Sequence, residues 1–333
     1  MGRPTYIIPR NIIEKSFSMA DCISEIENTF RLYGDGKTVM PAKVYMNFEK
    51  GDIRCMPSYI PSLKMGGVKI VNVHPGNKGM PAVMATTTLI DPENGFPLAI
   101  LDGTHITNMR TGAAGGVAAK YLSRKDSKTA AFIGTGAQAR TQLEALLLVR
   151  PGIKVISAYS PARESMESFA SEEAAKYKID VRCCSSVHEA AKDADVVVTT
   201  TPAREPVVMS SDIAGGMHIN AIGADAPGKE ELDPAILRRA VVVIDNWEQA
   251  SHSGEINVPV TRGILTRKDI RCDIGELVAG KKRGRTADTD VTVFDSTGMA
   301  IQDLAIAAMV FRKLTSNRKL RTQLDSIDLL CLK

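Results

Sequence analysis

The apolar positions along this chain change their period twice, and each change predicts a different kind of structure. Between residues 11 and 36, Ile13, Phe17, Met19, Ile23, Ile26 and Phe30 recur at helical spacing, and Gly34 and Gly36 end the run, which predicts one helix. Residues 43–48, 53–56, 67–73, 82–90 and 97–102 are then short apolar or alternating runs separated by Gly, Pro, Asn and Asp. That is the pattern of an antiparallel sheet, and Asp91-Pro92-Glu93-Asn94-Gly95 supplies a hairpin turn within it. Residues 107–122 are small and rich in Ala and Gly, as suits a helix packed tightly against another element.

From Lys128 onward the rhythm becomes strand, helix, strand. Residues 130–133, 154–159, 181–184, 196–200, 218–221, 241–245 and 291–295 are buried-strand candidates with helical patterns between most of them. The expected fold is α/β: a Rossmann-type doubly wound parallel sheet over residues 126–304, preceded by a smaller α+β domain over residues 1–125. An Ala-rich helix at 300–314 is expected to return the chain, so that 305–333 joins the first domain.

One stretch ties this pattern to chemistry. In Thr129 to Leu148 an apolar strand runs into Gly134-Thr135-Gly136-Ala137-Gln138-Ala139 and directly into a helix, matching G-x-G-x-x-G/A in the context such a turn requires. Backbone can there approach a pyrophosphate at a helix N-terminus, whose dipole favours negative charge. The plainer reading is an ordinary strand-to-helix turn. About 20 residues beyond the glycines an acidic residue usually accepts the ribose 2′-hydroxyl. Ser160 stands there instead, with Arg163 in reach, which favours NADP(H) and leaves NAD(H) possible; the alternative is that Arg163 merely faces solvent.

Composition narrows the classes. The 333 residues are 44% hydrophobic and carry a net charge of +4, with a pI near 8.6, which allows two ordinary cores. Basic residues are dispersed except at Lys281-Lys282-Arg283-Gly284-Arg285, which lacks interleaved aromatics and reads as a solvated loop or helix end, so nucleic acid is not an expected partner. No apolar run is long enough to span a bilayer and no signal-peptide core opens the chain, so a cytoplasmic protein without a membrane partner is expected. Six cysteines without C-x-x-C pairs and five histidines without ligand spacing suggest reduced, mostly buried thiols and no metal.

Several further residues are candidates on their own chemistry. Lys69, in an otherwise apolar strand, costs free energy unless it finds a partner or reaches a cleft; simple alternation toward solvent is the other reading. Arg54 would suit bidentate carboxylate binding. Asp225, in the loop Gly223-Ala224-Asp225-Ala226-Pro227-Gly228-Lys229, is either a general acid/base or a turn residue. Thr200 and Thr201 follow a buried strand where open α/β sheets present ligand contacts, though threonines also simply suit strands. Arg110, near a helix start, could hold a pyrophosphate or lie on the surface.

Taken together, the segments Met40-Pro41-Ala42-Lys43-Val44-Tyr45, Gly51-Asp52-Ile53-Arg54-Cys55-Met56-Pro57, Val68-Lys69 with His74-Pro75-Gly76-Asn77, Arg110-Thr111-Gly112, Gly134 to Gln138, Gly223-Ala224-Asp225, Gly254-Glu255-Ile256-Asn257-Val258 and Phe294 to Asp303 resemble the ornithine cyclodeaminase/mu-crystallin family. Within it the likeness is closest to the archaeal-type alanine dehydrogenase branch, over nearly the whole chain. The resemblance implies a homodimer built through the first domain, with an active site in the cleft between the domains. Lys69 and Asp225 take the catalytic roles by matching position, while Arg54, Lys43 and Lys229 bind substrate. Arg110, Thr111, Gly134, Thr135, Gly136, Ala137, Gln138, Ser160, Arg163, Thr200, Thr201, Gly223, Ser296, Thr297 and Gly298 line the cofactor.

Two departures bear on substrate. Cyclodeaminases and mu-crystallins usually carry arginine where this chain has Lys43, and the cyclodeaminase carries a glutamate near Arg54 that can hold a distal amine, so ornithine is disfavoured. The implied activity is NAD(P)-dependent, reversible oxidative deamination of a small L-amino acid, L-alanine to pyruvate and ammonia. Its rivals are an ornithine cyclodeaminase or cyclic ketimine reductase, and a non-catalytic, mu-crystallin-like protein that binds NADPH and a small ligand.

Overall fold

Two sheets organise the computed structural model, which describes residues 3–331. In chain order the first elements are β1 (Thr5–Ile8), α1 (Arg10–Ile13), α2 (Met19–Gly34), β2 (Val44–Phe48), β3 (Gly51–Ile60), β4 (Met65–Val73), β5 (Val83–Ile90), β6 (Pro97–Asp102) and α3 (Gly103–Leu122). Then come β7 (Thr129–Ile133), α4 (Ala137–Val149), β8 (Val155–Tyr159), α5 (Arg163–Tyr177), β9 (Asp180–Cys183), α6 (Val187–Ala191), β10 (Val196–Thr199), β11 (His218–Ala221) and α7 (Pro234–Arg239). The chain continues with β12 (Val241–Ile244), α8 (Trp247–Ser253), α9 (Asn257–Thr261), β13 (Ile270–Asp273), α10 (Ile274–Val278) and β14 (Thr292–Asp295), and closes with α11 (Ala300–Ser316), α12 (Arg318–Arg321) and β15 (Asp325–Ile327). It divides into two units, one running to Arg110 and resuming at Met299, the other Thr111–Gly298.

The first unit holds a seven-stranded sheet in the order β15-β1-β6-β5-β4-β3-β2. Its neighbours are antiparallel, as the alternating runs predict, except β1 and β6, which pair in parallel. Helix α11 covers one face, where Met56, Val71 and Ala85 pack with Ala300. The expected strand at 53–56 extends across Pro57. β2 pairs with β3 only as far as Cys55, so the missing Pro57 N–H costs no ladder bond on that side. The single helix expected over 11–36 is two helices. Ser18 breaks the run by forming a capping box with Asp21, giving α2 its own N-terminus. β1, four residues ahead of Pro9, is too short for its period to be read.

The second unit is an eight-stranded sheet, parallel throughout, in the order β13-β12-β14-β11-β10-β7-β8-β9. Apolar clusters cover both faces, as in a doubly wound fold. β13 is missing from the strands read in the sequence because it is an edge strand with a mixed pattern, Ile270-Arg271-Cys272-Asp273, only one residue of which is buried. From β7 the chain builds outward through β8 to β9, then crosses back to β10, so strand order reverses between β7 and β10. Such a reversal leaves a crevice at the carboxyl ends of the two strands, where open α/β sheets bind ligands.

Within this unit the small residues of α3 find their partner in α4. A Cβ on Gly112 would lie 2.5 Å from the Thr141 carbonyl oxygen, and one on Gly116 would lie 2.9 Å from the Ala145 Cβ. The six cysteines are free; only Cys22, Cys184 and Cys272 are buried, fewer than the composition suggests. Arg285, read as part of a solvated basic run, instead donates to the carbonyls of Leu122, Gly216, Met217 and Asp290. No helix among the described residues is long and apolar enough to cross a membrane.

Candidate active site

The glycine turn lies at the crevice made by the strand reversal. Gly134 leaves β7 with φ +94°, and a Cβ there would sit 2.9 Å from Thr200 Oγ1 and 3.0 Å from the Thr200 carbonyl oxygen, so glycine is required twice over. Thr200, just past β10, donates its hydroxyl to the Gly134 carbonyl at 3.2 Å and its N–H to that of Ile133. Gly136 differs. It is the N-cap of α4, its φ is ordinary, and a Cβ there would meet nothing within 4 Å. With no side chain capping the helix, an open cradle stands over the N–H groups of Gly136, Ala137 and Gln138. A dinucleotide pyrophosphate fits such a cradle. Thr135, buried alongside, hydrogen-bonds Ser165 at 3.0 Å.

At the end of β8, Ser160 accepts the N–H of Ala162 at 3.3 Å, and Arg163 opens α5 exposed to solvent, paired with Glu167 at 2.7 Å. No carboxylate occupies the Ser160 position, and an exposed, solvent-screened pair of this kind contributes little, so Arg163 is easily redirected.

In the first unit, the alternation of β4 points Lys69 into the packed face with Met65 and Val71, not to solvent; the residue is 3% exposed. Its Nζ lies 2.8 Å from Asp303 Oδ2, and Thr107 Oγ1 lies 3.5 Å away. Asp303, on the first turn of α11, also accepts from Arg110 Nε at 3.1 Å, while Arg110 reaches Gln302 Oε1 at 3.0 Å. Arg110 is therefore buried, not a surface arginine. Burial pushes the Lys69 ammonium down to about 7; Asp303 opposes the shift, and the charges of Arg110 and Lys43 add to it. Burial also works against the Asp303 charge, but Arg110 and Lys69 outweigh it and hold the carboxylate below its usual range. One buried anion thus faces two basic side chains. Lys69 is left poised to change charge near neutrality.

Arg54 is buried on β3, forked onto Asp52 at 2.9 and 3.2 Å and stacked 5.6 Å from the Tyr45 ring. The partner revealed is thus an internal carboxylate. Lys43, half-buried, precedes β2.

The loop after β11 carries Asp225, whose Oδ1 is 2.6 Å from Lys229 Nζ. Lys229, expected to hold substrate, is engaged by Asp225, and Asn257 fixes the turn by accepting from Gly228 N and donating to the Lys229 carbonyl. Thr297 and Gly298 give their N–H groups to Asp245 at 2.6 and 2.7 Å. Ser296 Oγ is buried and has no hydrogen-bond partner among the described residues, an orphan beside which a polar ligand group fits.

Sequence reasoning missed the acids that hold these loops. Glu231, Glu255 and Asp295 are fully buried, and each accepts backbone N–H groups. Burial pushes Asp295 up to about 8, and Glu255 well above the carboxylate range. Asp303 lay inside a motif matched to the family but carried no role. In sequence an acid in a polar loop looks the same whether it faces water or core.

With this geometry in hand, relatives can be compared. The model of the ornithine cyclodeaminase/mu-crystallin family matches residues 5–318. An alanine dehydrogenase of Archaeoglobus fulgidus is 49% identical over 316 residues, covering 94% of this chain and 96% of the relative. Among solved structures, an archaeal alanine dehydrogenase dimer with bound NAD superposes with a TM-score of 0.94 at 46% identity, over 98% of this chain and 100% of that one. The Δ1-pyrroline-2-carboxylate reductase of Thermococcus litoralis, in complex with NADH and L-proline, gives 0.91 at 38% identity, over 94% and 98%. Extent of match, identity and superposition agree with the residues described: the chain belongs to the ornithine cyclodeaminase/mu-crystallin family.

Proposed function

We propose that this protein is a nicotinamide-dependent amino-acid dehydrogenase that interconverts a small L-amino acid with its 2-oxo acid and ammonia, alanine and pyruvate first. The observation that carries the reading is Lys69: a buried ammonium, brought near neutrality, whose anionic partner is already shared with Arg110. Such a group donates a strong hydrogen bond to a carbonyl oxygen and can lose the proton at ordinary pH. The identity to an alanine dehydrogenase over nearly the full length of both chains supports the choice of reaction.

In the reductive direction Lys69 polarises the 2-oxo group while ammonia adds to C2. Asp225 takes a proton from the added nitrogen and returns it to the departing hydroxyl, so that carbinolamine becomes imine and water leaves. When bound, a nicotinamide would supply hydride to the C=N carbon. Gly134, Thr135, Gly136, Ala137 and Gln138 would hold its pyrophosphate, Ser160 and Arg163 its adenosine end, and Thr200, Thr201, Gly223, Ser296, Thr297 and Gly298 its remainder. NADP(H) is the favoured form on Ser160 and Arg163. Arg54 and Lys43 would serve the substrate carboxylate.

The NADH- and proline-bound reductase supports a second reading, reduction of a cyclic imine. One panel separates the two: pyruvate with ammonia, Δ1-pyrroline-2-carboxylate, and ornithine, each followed at 340 nm with NADH and NADPH. Turnover confined to the ring imine would replace the first reading with the second. Tight cofactor binding without any turnover would leave a binding protein. Asp225→Asn should lower turnover by roughly 10²-fold or more, the usual worth of a poised proton carrier, while cofactor affinity changes little.

A further inference from the structure

Glu231 stands apart from the groups assigned so far. Its side chain lies wholly within the second unit and is inaccessible to solvent, so it cannot meet substrate, yet all its hydrogen-bonding capacity is spent on two ligand loops. Oε1 accepts the N–H of Thr201 at 2.6 Å and its hydroxyl at 2.7 Å; Oε2 accepts the N–H of Gly223 at 2.8 Å and the Thr199 hydroxyl at 2.7 Å. The carboxylate therefore sits between the end of β10 and the loop that reaches Asp225 two residues later. The loops touch across it. A Cβ on Gly223 would lie 2.1 Å from the Thr201 carbonyl oxygen and 2.6 Å from the Glu231 carboxyl carbon. Glu231 is itself fixed from behind, because Glu255 accepts its backbone N–H at 2.9 Å and that of Leu232 at 2.7 Å.

Glu231 makes no ion pair among the described residues, so a packed apolar side chain would be cheaper if filling space were the only requirement. Its cost is met by four donors, two of them backbone N–H groups in segments read as ligand contacts. From this arrangement we propose that Glu231 is a positioning residue, a four-bond clasp that sets the Thr199–Thr201 turn and the Gly223–Asp225 loop in one register for cofactor and proton transfer. The proposal rests on the roles given above to Thr200, Thr201 and Asp225.

The test compares Glu231→Gln, Thr199→Val and Glu230→Gln in the full chain. Gln keeps the shape of Glu231 but turns one acceptor into a donor, and either oxygen it replaces faces a backbone N–H that can only donate. Thr199→Val removes a single bond and guards against a Gln variant that fails to fold. Glu230 is the control, buried next door with no side-chain bond to either loop. Without cofactor, hydrogen exchange should show the Thr201 and Gly223 amides losing roughly tenfold or more protection in Glu231→Gln while the strands of the sheet keep theirs. NADPH binding, followed by its fluorescence, should weaken roughly tenfold, and the pH–rate limb belonging to Asp225 should move. Thr199→Val should show smaller changes of the same kind and Glu230→Gln none. Unchanged exchange, affinity and pH profile in a folded Glu231→Gln or Thr199→Val protein would overturn the proposal. Failure of the underlying reading is distinct: a fully active Asp225→Asn enzyme would remove Asp225 from the chemistry, while amide exchange would still report on the clasp.

Discussion

At the scale of single residues, the chemistry turns on environments that a residue's name does not reveal. Lys69 was visible as a lysine in an apolar strand, but its depressed ionisation comes from burial, opposed by Asp303 and reinforced by the charges of Arg110 and Lys43, groups contributed by elements far apart in sequence. The ammonium exists below about 7 and disappears above it, so a 2-oxo acid that accepts its hydrogen bond should bind more weakly as pH rises through that value. Titrating pyruvate against the cofactor-loaded protein between pH 6 and 9 would show this, and Lys69→Met should bind weakly with no such dependence. A flat profile in the unsubstituted protein would remove Lys69 from substrate contact. Ser160 gives a second residue-scale expectation. Ser160→Asp would set a carboxylate against a 2′-phosphate, a repulsive like-charge contact, so KM for NADPH should rise by roughly tenfold or more while NADH is used as well or better. An unchanged ratio of the two KM values would mean that Ser160 does not face the ribose.

Elements were more legible than residues, because periodicity is local. The central strands of both sheets and the glycine turn follow directly from alternation and spacing. What escaped was β1, too short to show a period, and β13, an edge strand whose exposed face breaks the apolar run. The break between α1 and α2 also escaped, since the apolar spacing continues through it although α1 stops at Ile13 and Ser18 with Asp21 starts α2 afresh. The Ala/Gly-rich run of α3 announced tight packing without naming the partner, which is α4. Gly112→Ala would press a methyl group into the Thr141 carbonyl at 2.5 Å, backbone against which no side chain can swing aside. Overpacking of this kind costs about 1–3 kcal/mol, so thermal unfolding should begin several degrees lower. Gly36→Ala, where nothing lies within 4 Å, controls for the loss of a glycine in open space, though its φ of +71° adds a smaller cost of its own.

At the scale of the whole molecule, one face of the seven-stranded sheet is left apolar and open. Helix α11 covers the opposite face. On the open side Ile53, Cys55, Ile70 and Met84 are half-exposed, and the edge strand β2 presents Val44 at 62%, Met46 at 55% and Phe48 at 47% exposure. Val44, Met46 and Phe48 alternate along β2, so all three lie on one side, and their cross-strand partners Cys55, Ile53 and Gly51 continue the apolar surface inward. Contiguous apolar surface of this kind marks an interface, and an edge strand with an apolar face is otherwise an aggregation hazard. A second copy of the chain docked through this face is the prediction to test, since a two-fold contact pairs the patch with itself. A charge at its centre would be buried unpaired in each copy and, by two-fold symmetry, against its own image. Met46→Glu should therefore shift the protein from dimer to monomer in sedimentation at micromolar concentration, leaving the α11-covered core intact by circular dichroism. Lys50→Glu, at the polar end of the same hairpin, should leave the dimer in place. A Met46→Glu protein that sediments as the unsubstituted chain does would place the contact on a different surface.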